Sequence, residues 1–228
     1  MKGVDKINKV VHKNEIILYH SEIDNLDSYD IYILSAIKLI LTNQYDCRTL
    51  YCPVNAKDVI KVLTNNNDFY TDKTKRRLNK SFKSLFDKNI VDYNKKIGST
   101  YYINRYQLLF KEELFVSLRY EELTNTFFNE LNSTIVKLYG CYIILLSTIN
   151  TRTKFSYPSL EYLSEKFDMT IKTTQKYIKL LEKNKLIAIY QPKKTYDKGT
   201  GKFRSYNNVY FKPCDKEDIA RNFGLRNL

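Results

Sequence analysis

Apolar residues recur along this chain in two helical series of the same layout, offset by about a hundred residues, and each series ends in short alternating stretches. The first series predicts helices over residues 29–41, 55–63 and 74–87. The second predicts them over 133–149, 159–167 and 171–183. The short middle helices carry Val59, Ile60 and Leu63, or Leu160, Leu163 and Phe167, at helical spacing. Both third helices run into matching tails, Leu85-Phe-Asp-Lys-Asn-Ile-Val91 and Leu181-Glu-Lys-Asn-Lys-Leu-Ile187.

After the tails, β-branched and aromatic residues alternate over 91–95 and 100–103 in the first copy, and over 187–191 and 209–211 in the second. Gly98-Ser99 separates the first pair and Gly199-Thr-Gly201 the second, so each pair predicts a β-hairpin. The expected fold class is α+β, mainly helical, with two winged helix-turn-helix units in tandem. Their expected bounds are 29–106 and 133–213. Between them, 107–132 carries Leu108, Leu109, Leu114, Phe115, Leu118, Leu123, Phe127, Phe128 and Leu131, too apolar a set to stay solvated, and predicts a helical linker. Residues 1–28 form an N-terminal extension and 214–228 a C-terminal tail.

A helix that enters a DNA groove must pack one face on the core and turn the other toward phosphates and base edges. At about 100° per residue, Ile171, Thr174, Ile178 and Leu181 fall on one side of the last helix, and Lys172, Lys176, Lys179 and Lys183 form a stripe opposite, with no acid among them. Thr170 is placed to cap this helix, and Thr173 and Gln175 flank the stripe near its N-terminus, where base contacts are made. In the first copy Leu78, Phe82, Leu85 and Phe86 go to the core side, and Lys73, Arg76, Arg77, Lys80 and Lys83 gather opposite. Solvated helix faces usually mix charge signs for pairing one turn apart. Two unmixed stripes at equivalent places therefore point to a polyanion.

The 228 residues carry a formal net charge of +13. That surplus alone also fits a Lys-, Asn-, Ile- and Tyr-rich genome bias, so its placement matters more than its size. Residues 154–212 hold thirteen Lys and Arg against five Asp and Glu. Lys193, Lys194, Lys198, Lys202 and Arg204 surround the second hairpin's glycines, a basic loop suited to a phosphate backbone or minor groove. The first hairpin has only Lys95 and Lys96.

The six glycines form no phosphate-cradling motif. His12 and His20, the only histidines, do not supply the paired metal ligands of a DNA-nicking enzyme, and no catalytic residue, metal site or cofactor is expected. Cys47, Cys52, Cys141 and Cys214 show neither zinc-ligand nor disulfide spacing. The first thirty residues lack a signal-peptide core, and no apolar stretch is long enough to span a bilayer, so a cytoplasmic protein with no membrane partner is expected.

The segment Tyr157-Pro-Ser-Leu-Glu-Tyr-Leu-Ser-Glu-Lys-Phe-Asp-Met-Thr-Ile-Lys-Thr-Thr-Gln-Lys-Tyr-Ile-Lys-Leu-Leu-Glu-Lys-Asn-Lys-Leu-Ile187, with Arg204-Ser-Tyr-Asn-Asn-Val-Tyr-Phe211, resembles the winged helix of phage replisome organisers and related bacterial regulators. Lys88-Asn-Ile-Val91 followed by Gly98-Ser-Thr-Tyr-Tyr-Ile-Asn104 is similar to the winged helix of plasmid replication proteins from Firmicutes. The first copy departs in one respect: residues 64–71, with three consecutive asparagines, make its helix-to-helix turn longer than usual.

The resemblance implies a sequence-specific double-stranded DNA-binding protein that acts at a plasmid or phage origin, with host replication proteins as further partners. A transcriptional repressor with the same tandem units is the alternative, and a protein-binding winged helix a third reading. The apolar-acidic linker, with Glu112, Glu113, Glu121 and Glu122, is the expected surface for host proteins or for a homodimer.

Overall fold

A computed structural model describes residues 15–43, 50–64, 71–109, 111, 113–128, 131–197, 199, 202–204 and 206–222. The chain is α+β, mainly helical, with small antiparallel sheets. It divides into two compact units, Met1–Gly140 and Cys141–Leu228.

In the first unit, strand β1 (Glu15–Tyr19) leads into helix α1 (His20–Asn25) and then α2 (Ser28–Asn43). Fourteen of the sixteen α2 residues are buried, as befits a helix that is apolar all round. Asp27 starts α2 by accepting hydrogen bonds from the Tyr29 and Asp30 N–H groups at 2.9 and 2.8 Å. Strand β2 (Tyr51–Asn55), helices α3 (Ala56–Thr64) and α4 (Asp72–Asp87), and strands β3 (Tyr93–Ile97) and β4 (Thr100–Asn104) follow. The three strands form one sheet in the order β2-β4-β3, all antiparallel. Gly98, at φ +59°, makes the two-residue turn between β3 and β4, a backbone that glycine adopts without strain.

The segment expected to be a helical linker contains a strand. After the short helix α5 (Arg105–Leu109), β5 (Phe115–Arg119) pairs antiparallel with β1 from Glu15↔Arg119 to Tyr19↔Phe115, before helix α6 (Tyr120–Thr126). Val116 and Leu118 are buried on alternate positions, a strand's period. Residues 15–25 of the N-terminal extension and 115–126 of the linker therefore form part of the first unit instead of flanking it. Leu114 and Phe115, expected among the buried apolar set, are 71% and 48% exposed.

Helix α7 (Ser133–Thr148) carries the boundary between the units. A side chain at Gly140 would run into Ser28, so a mid-helix glycine is required there despite its low helix propensity. Tyr139 is fully buried and donates to Ser35 Oγ at 2.7 Å.

The second unit repeats the plan after α7: β6 (Phe155–Ser156), α8 (Leu160–Lys166), α9 (Ile171–Lys183), β7 (Ala188–Tyr190), then β10 (Val209–Phe211). Its sheet order, β6-β10-β7, matches β2-β4-β3 strand for strand. Between β7 and β10, β8 (Thr195–Asp197) and β9 (Lys202–Arg204) form a separate two-stranded ribbon where an irregular loop was expected. The expected C-terminal tail is also partly folded. Helix α10 (Lys216–Asn222) buries Ile219 in one cluster with Val209 and Phe211.

No helix among the described residues is long and apolar enough to cross a membrane. Among the cysteines, Cys52 and Cys141 are buried thiols and Cys214 an exposed one, while Cys47 and His12 lie outside the described residues.

Candidate nucleic-acid interface

Helices α4 and α9 end alike. Asn89 and Lys185 both adopt left-handed backbone, at φ 54° and 57°. Ile90 N–H donates to Leu85 O as Leu186 N–H donates to Leu181 O. This C-terminal motif satisfies the last carbonyls of each helix. It also fixes an alignment in which each α4 residue matches the α9 residue 96 positions later.

With that alignment the burial patterns coincide. Leu78, Ser81, Phe82 and Leu85 are buried in α4, and Thr174, Tyr177, Ile178 and Leu181 at the matching places in α9. Two sequence expectations need correction. Ile171 is 42% exposed, because it lies in the first turn ahead of the packed face, and Tyr177 is buried in its stead. Phe86 is only half-buried, its ring against Tyr93 and Tyr101 at 4.2 and 5.1 Å, and so ties α4 to the hairpin instead of filling the core.

The outward face keeps its cations. Arg76, Lys80 and Lys83 match Lys172, Lys176 and Lys179, all exposed, and α9 adds Lys183 where α4 has Asp87. Lys73 extends the α4 stripe in the extra turn by which α4 exceeds α9. Among the described residues none of these cations lies within ion-pair distance of a carboxylate. The stems of the α9 lysines enclose a shallow groove of about 550 Å³ whose lining includes Thr173, Gln175 and Leu180 and no acid.

The α4 groove, about 780 Å³, differs: Asp27, Asp30 and Asp72 line it together with Lys73, Arg76, Arg77 and Lys80. The first stripe is therefore less purely basic than the second, because Asp27 and Asp30 at the start of α2 lie alongside it and Asp72 opens α4 itself. Arg77 lies with its guanidinium 4.1 Å from the Tyr29 ring, a cation–π contact that engages it within the protein. Burial raises the Tyr29 phenol above its ordinary value, and the Arg77 charge partly opposes that.

Both helices start on a pair of threonines. Thr71 Oγ1 accepts from Thr74 N–H and Thr170 Oγ1 from Thr173 N–H, each at 3.3 Å. The two hydroxyls of each pair lie 3.2 and 3.0 Å apart. Thr173, read from the sequence as a base contact, is thus half-buried with its hydroxyl shared with the cap. Gln175 is exposed and makes no hydrogen bond to a described residue. Between α8 and α9 the turn is tight, with Asp168 at φ 51°. The corresponding first-unit turn, including the asparagine run, lies outside the described residues.

Around the second hairpin, Lys193 and Lys194 are exposed just before β8. Lys202 and Arg204 sit on β9, and Lys198 lies outside the described residues. In the first hairpin Lys95 and Lys96 rest over the Tyr102 and Tyr101 rings at 4.3 and 4.6 Å. Among the described residues no group of three or more His, Cys, Asp or Glu could hold a metal ion.

No family model matches the chain, and no curated protein or solved structure is similar enough to match it. The case for a function rests on the residues and their arrangement.

One feature of α9 predicts a stability gain. Thr174 Oγ1 is buried with no hydrogen-bond partner among the described residues, at the place where α4 has Leu78. An unmade buried hydrogen bond costs about 1–3 kcal/mol, so Thr174→Val, of nearly the same shape, is expected to stabilise the second unit by about 1 kcal/mol. Thermal or urea unfolding measures this, and a destabilised variant would show that the hydroxyl is satisfied in solution.

Proposed function

We propose that this chain binds double-stranded DNA through two tandem winged helix-turn-helix units and serves at a plasmid or phage replication origin. The observation that carries the DNA-binding part is the pair of equivalent outward faces, on α4 and α9, whose cations have no carboxylate partner among the described residues. Three matched pairs of cations, with Lys183 added on α9, have no carboxylate partner among the described residues; the cations of each face repel one another, and a polyanion relieves that repulsion. The helix–strand–helix–helix–strand–strand order, with the first strand beside the last, supports the winged helix reading because it sets the third helix on the surface as the groove-reading element. In this reading α4 and α9 enter the major groove, and Lys193, Lys194, Lys202 and Arg204 on and beside the β8–β9 ribbon follow the backbone.

The replication role rests on the resemblance of both copies to plasmid and phage replication proteins. An initiator also needs a surface for host replication proteins, and the segment 113–126, with Glu113, Leu114, Phe115 and Glu121 all exposed, is the part suited to it. A repressor would need only to occupy its operator. A plasmid that lacks any other origin and carries this gene with its upstream DNA is expected to be maintained, and to be lost when Lys172→Ala and Lys176→Ala are introduced together. Failure of maintenance, with repression of the gene's own promoter, would replace the replication role by a regulatory one.

A further inference from the structure

The 96-residue alignment of α4 on α9 brings a second pair of residues into correspondence: Asn79 matches Gln175. Both are amides, both are exposed, and neither makes a hydrogen bond to a described residue. Each sits on the same flank of its basic stripe, about 60° from the stripe's centre at 100° per residue. Each is framed alike: a cation three residues before (Arg76, Lys172), one residue after (Lys80, Lys176) and four after (Lys83, Lys179).

The opposite flank is occupied in both helices. There Arg77 lies over the Tyr29 ring, and Thr173 shares its hydroxyl with the Thr170 cap. Among the described residues, the two amides are therefore the uncharged polar pair at matching positions left with open hydrogen-bonding capacity beside the stripes; the exposed Glu182, two turns after Gln175 on the same flank, has Phe86 as its counterpart on α4.

A carboxamide offers one donor and one acceptor side by side. In the major groove adenine presents the complement, the N6 amino donor and the N7 acceptor, whereas lysine mainly neutralises phosphate. We propose that Asn79 and Gln175 are equivalent specificity-determining residues, each reading one adenine in the major groove with a carboxamide held between phosphate-bound cations. This rests on the DNA-binding reading and adds to it that both units read bases, and by the same chemistry. Asn79 carries a side chain shorter by one methylene, so the first helix must sit closer to its base than the second.

The test is selection of duplexes from a random pool by the full chain and by the Asn79→Ala and Gln175→Ala variants, both at exposed helical positions where alanine is well tolerated. The parent's selected site is expected to contain two fixed adenines, one released in each variant, with about tenfold weaker binding to the parent's site. Binding to non-preferred DNA should stay unchanged. Replacing the matching adenine by 7-deazaadenine, which removes only the N7 acceptor, should weaken the parent about tenfold and leave the corresponding alanine variant unaffected. If the parent binds no duplex, the DNA-binding reading falls and this assignment with it. If the parent selects a site and both variants select the same one, or deazaadenine weakens parent and variant equally, the amide assignment alone is overturned.

Discussion

Replacing Lys172, Lys176, Lys179 and Lys183 together by alanine is expected to weaken duplex binding by about 10²-fold or more at physiological salt, for preferred and unrelated sequences alike. The loss should be uniform because these four side chains form one exposed stripe without carboxylate partners among the described residues, and lysine contributes chiefly through phosphates. The salt dependence should become shallower by about 0.9 per lost phosphate contact. The matching Arg76, Lys80 and Lys83 triple variant is expected to cost a comparable amount in the full chain, since linked readers bind their second contact almost intramolecularly. Fluorescence anisotropy against a salt series measures both. Unchanged affinity in the first variant would show that the α9 stripe is a solvated face.

The second large effect lies away from the DNA-binding face. Lys38 projects from the middle of apolar α2 with its ammonium fully buried, 2.6 Å from Glu22 Oε2 and 2.9 Å from Ile17 O. Glu22 also accepts from Tyr19 N–H at 3.0 Å and reaches Lys111 at 3.2 Å, so one carboxylate joins β1, α1, α2 and the segment before β5. Removing Lys38 leaves the buried Glu22 carboxylate with the more exposed Lys111 ammonium as its remaining ion-pair partner, and breaking a buried pair costs about 3–5 kcal/mol where no such second partner remains. Lys38→Met should destabilise the first unit by about 3 kcal/mol, the lower end of that range, because Lys111 still faces Glu22. Adding Glu22→Gln should recover most of it, because the neutral amide still accepts from Tyr19.

The pair also sets a pH dependence. Burial pushes the Lys38 ammonium down to about 8 against its ordinary 10.5, with Glu22 opposing the shift only in part. From about pH 8 upward the unfolded chain holds more protons at this site than the folded one, so stability should rise with pH. Toward pH 10 the trend should reverse. There the buried Tyr19, Tyr29 and Tyr139, whose phenols burial holds above their ordinary value, stay neutral in the folded state while ionising in the unfolded one. Urea unfolding of the parent and of Lys38→Met across pH 7–11 should show the rise in the parent alone.

What the sequence made legible was local. Helix α9 is bounded as its periodicity and Thr170 cap require, and α4 begins two residues early because Thr71, not a later residue, takes the cap role. The stripes were readable because one turn of helix sets each cation's neighbours. Strands β2 and β6 escaped notice because one contains Pro53 and the other has two residues, too few to show alternation. The β1–β5 pairing joins residues about a hundred apart, so nothing near Phe115 marks it. Val116 and Leu118 do alternate, but the helix-spaced leucines on either side hide the pattern. Lys38 reads as a stray charge in an apolar helix until folding brings Glu22 to it. Asn79 carries no charge to mark it in the sequence, although the matching tails 85–91 and 181–187 already set it 96 residues before Gln175.

The most direct measurement is the salt dependence of duplex binding by the full chain. Binding constants between about 50 and 400 mM salt, on duplex selected by the protein itself, should fall on a log-log line with a slope steeper than about −4, since seven cations on α4 and α9 without a carboxylate partner among the described residues are available and each phosphate neutralised contributes about −0.9. A slope near zero, or no duplex binding at low salt, would contradict the assignment of these faces to DNA.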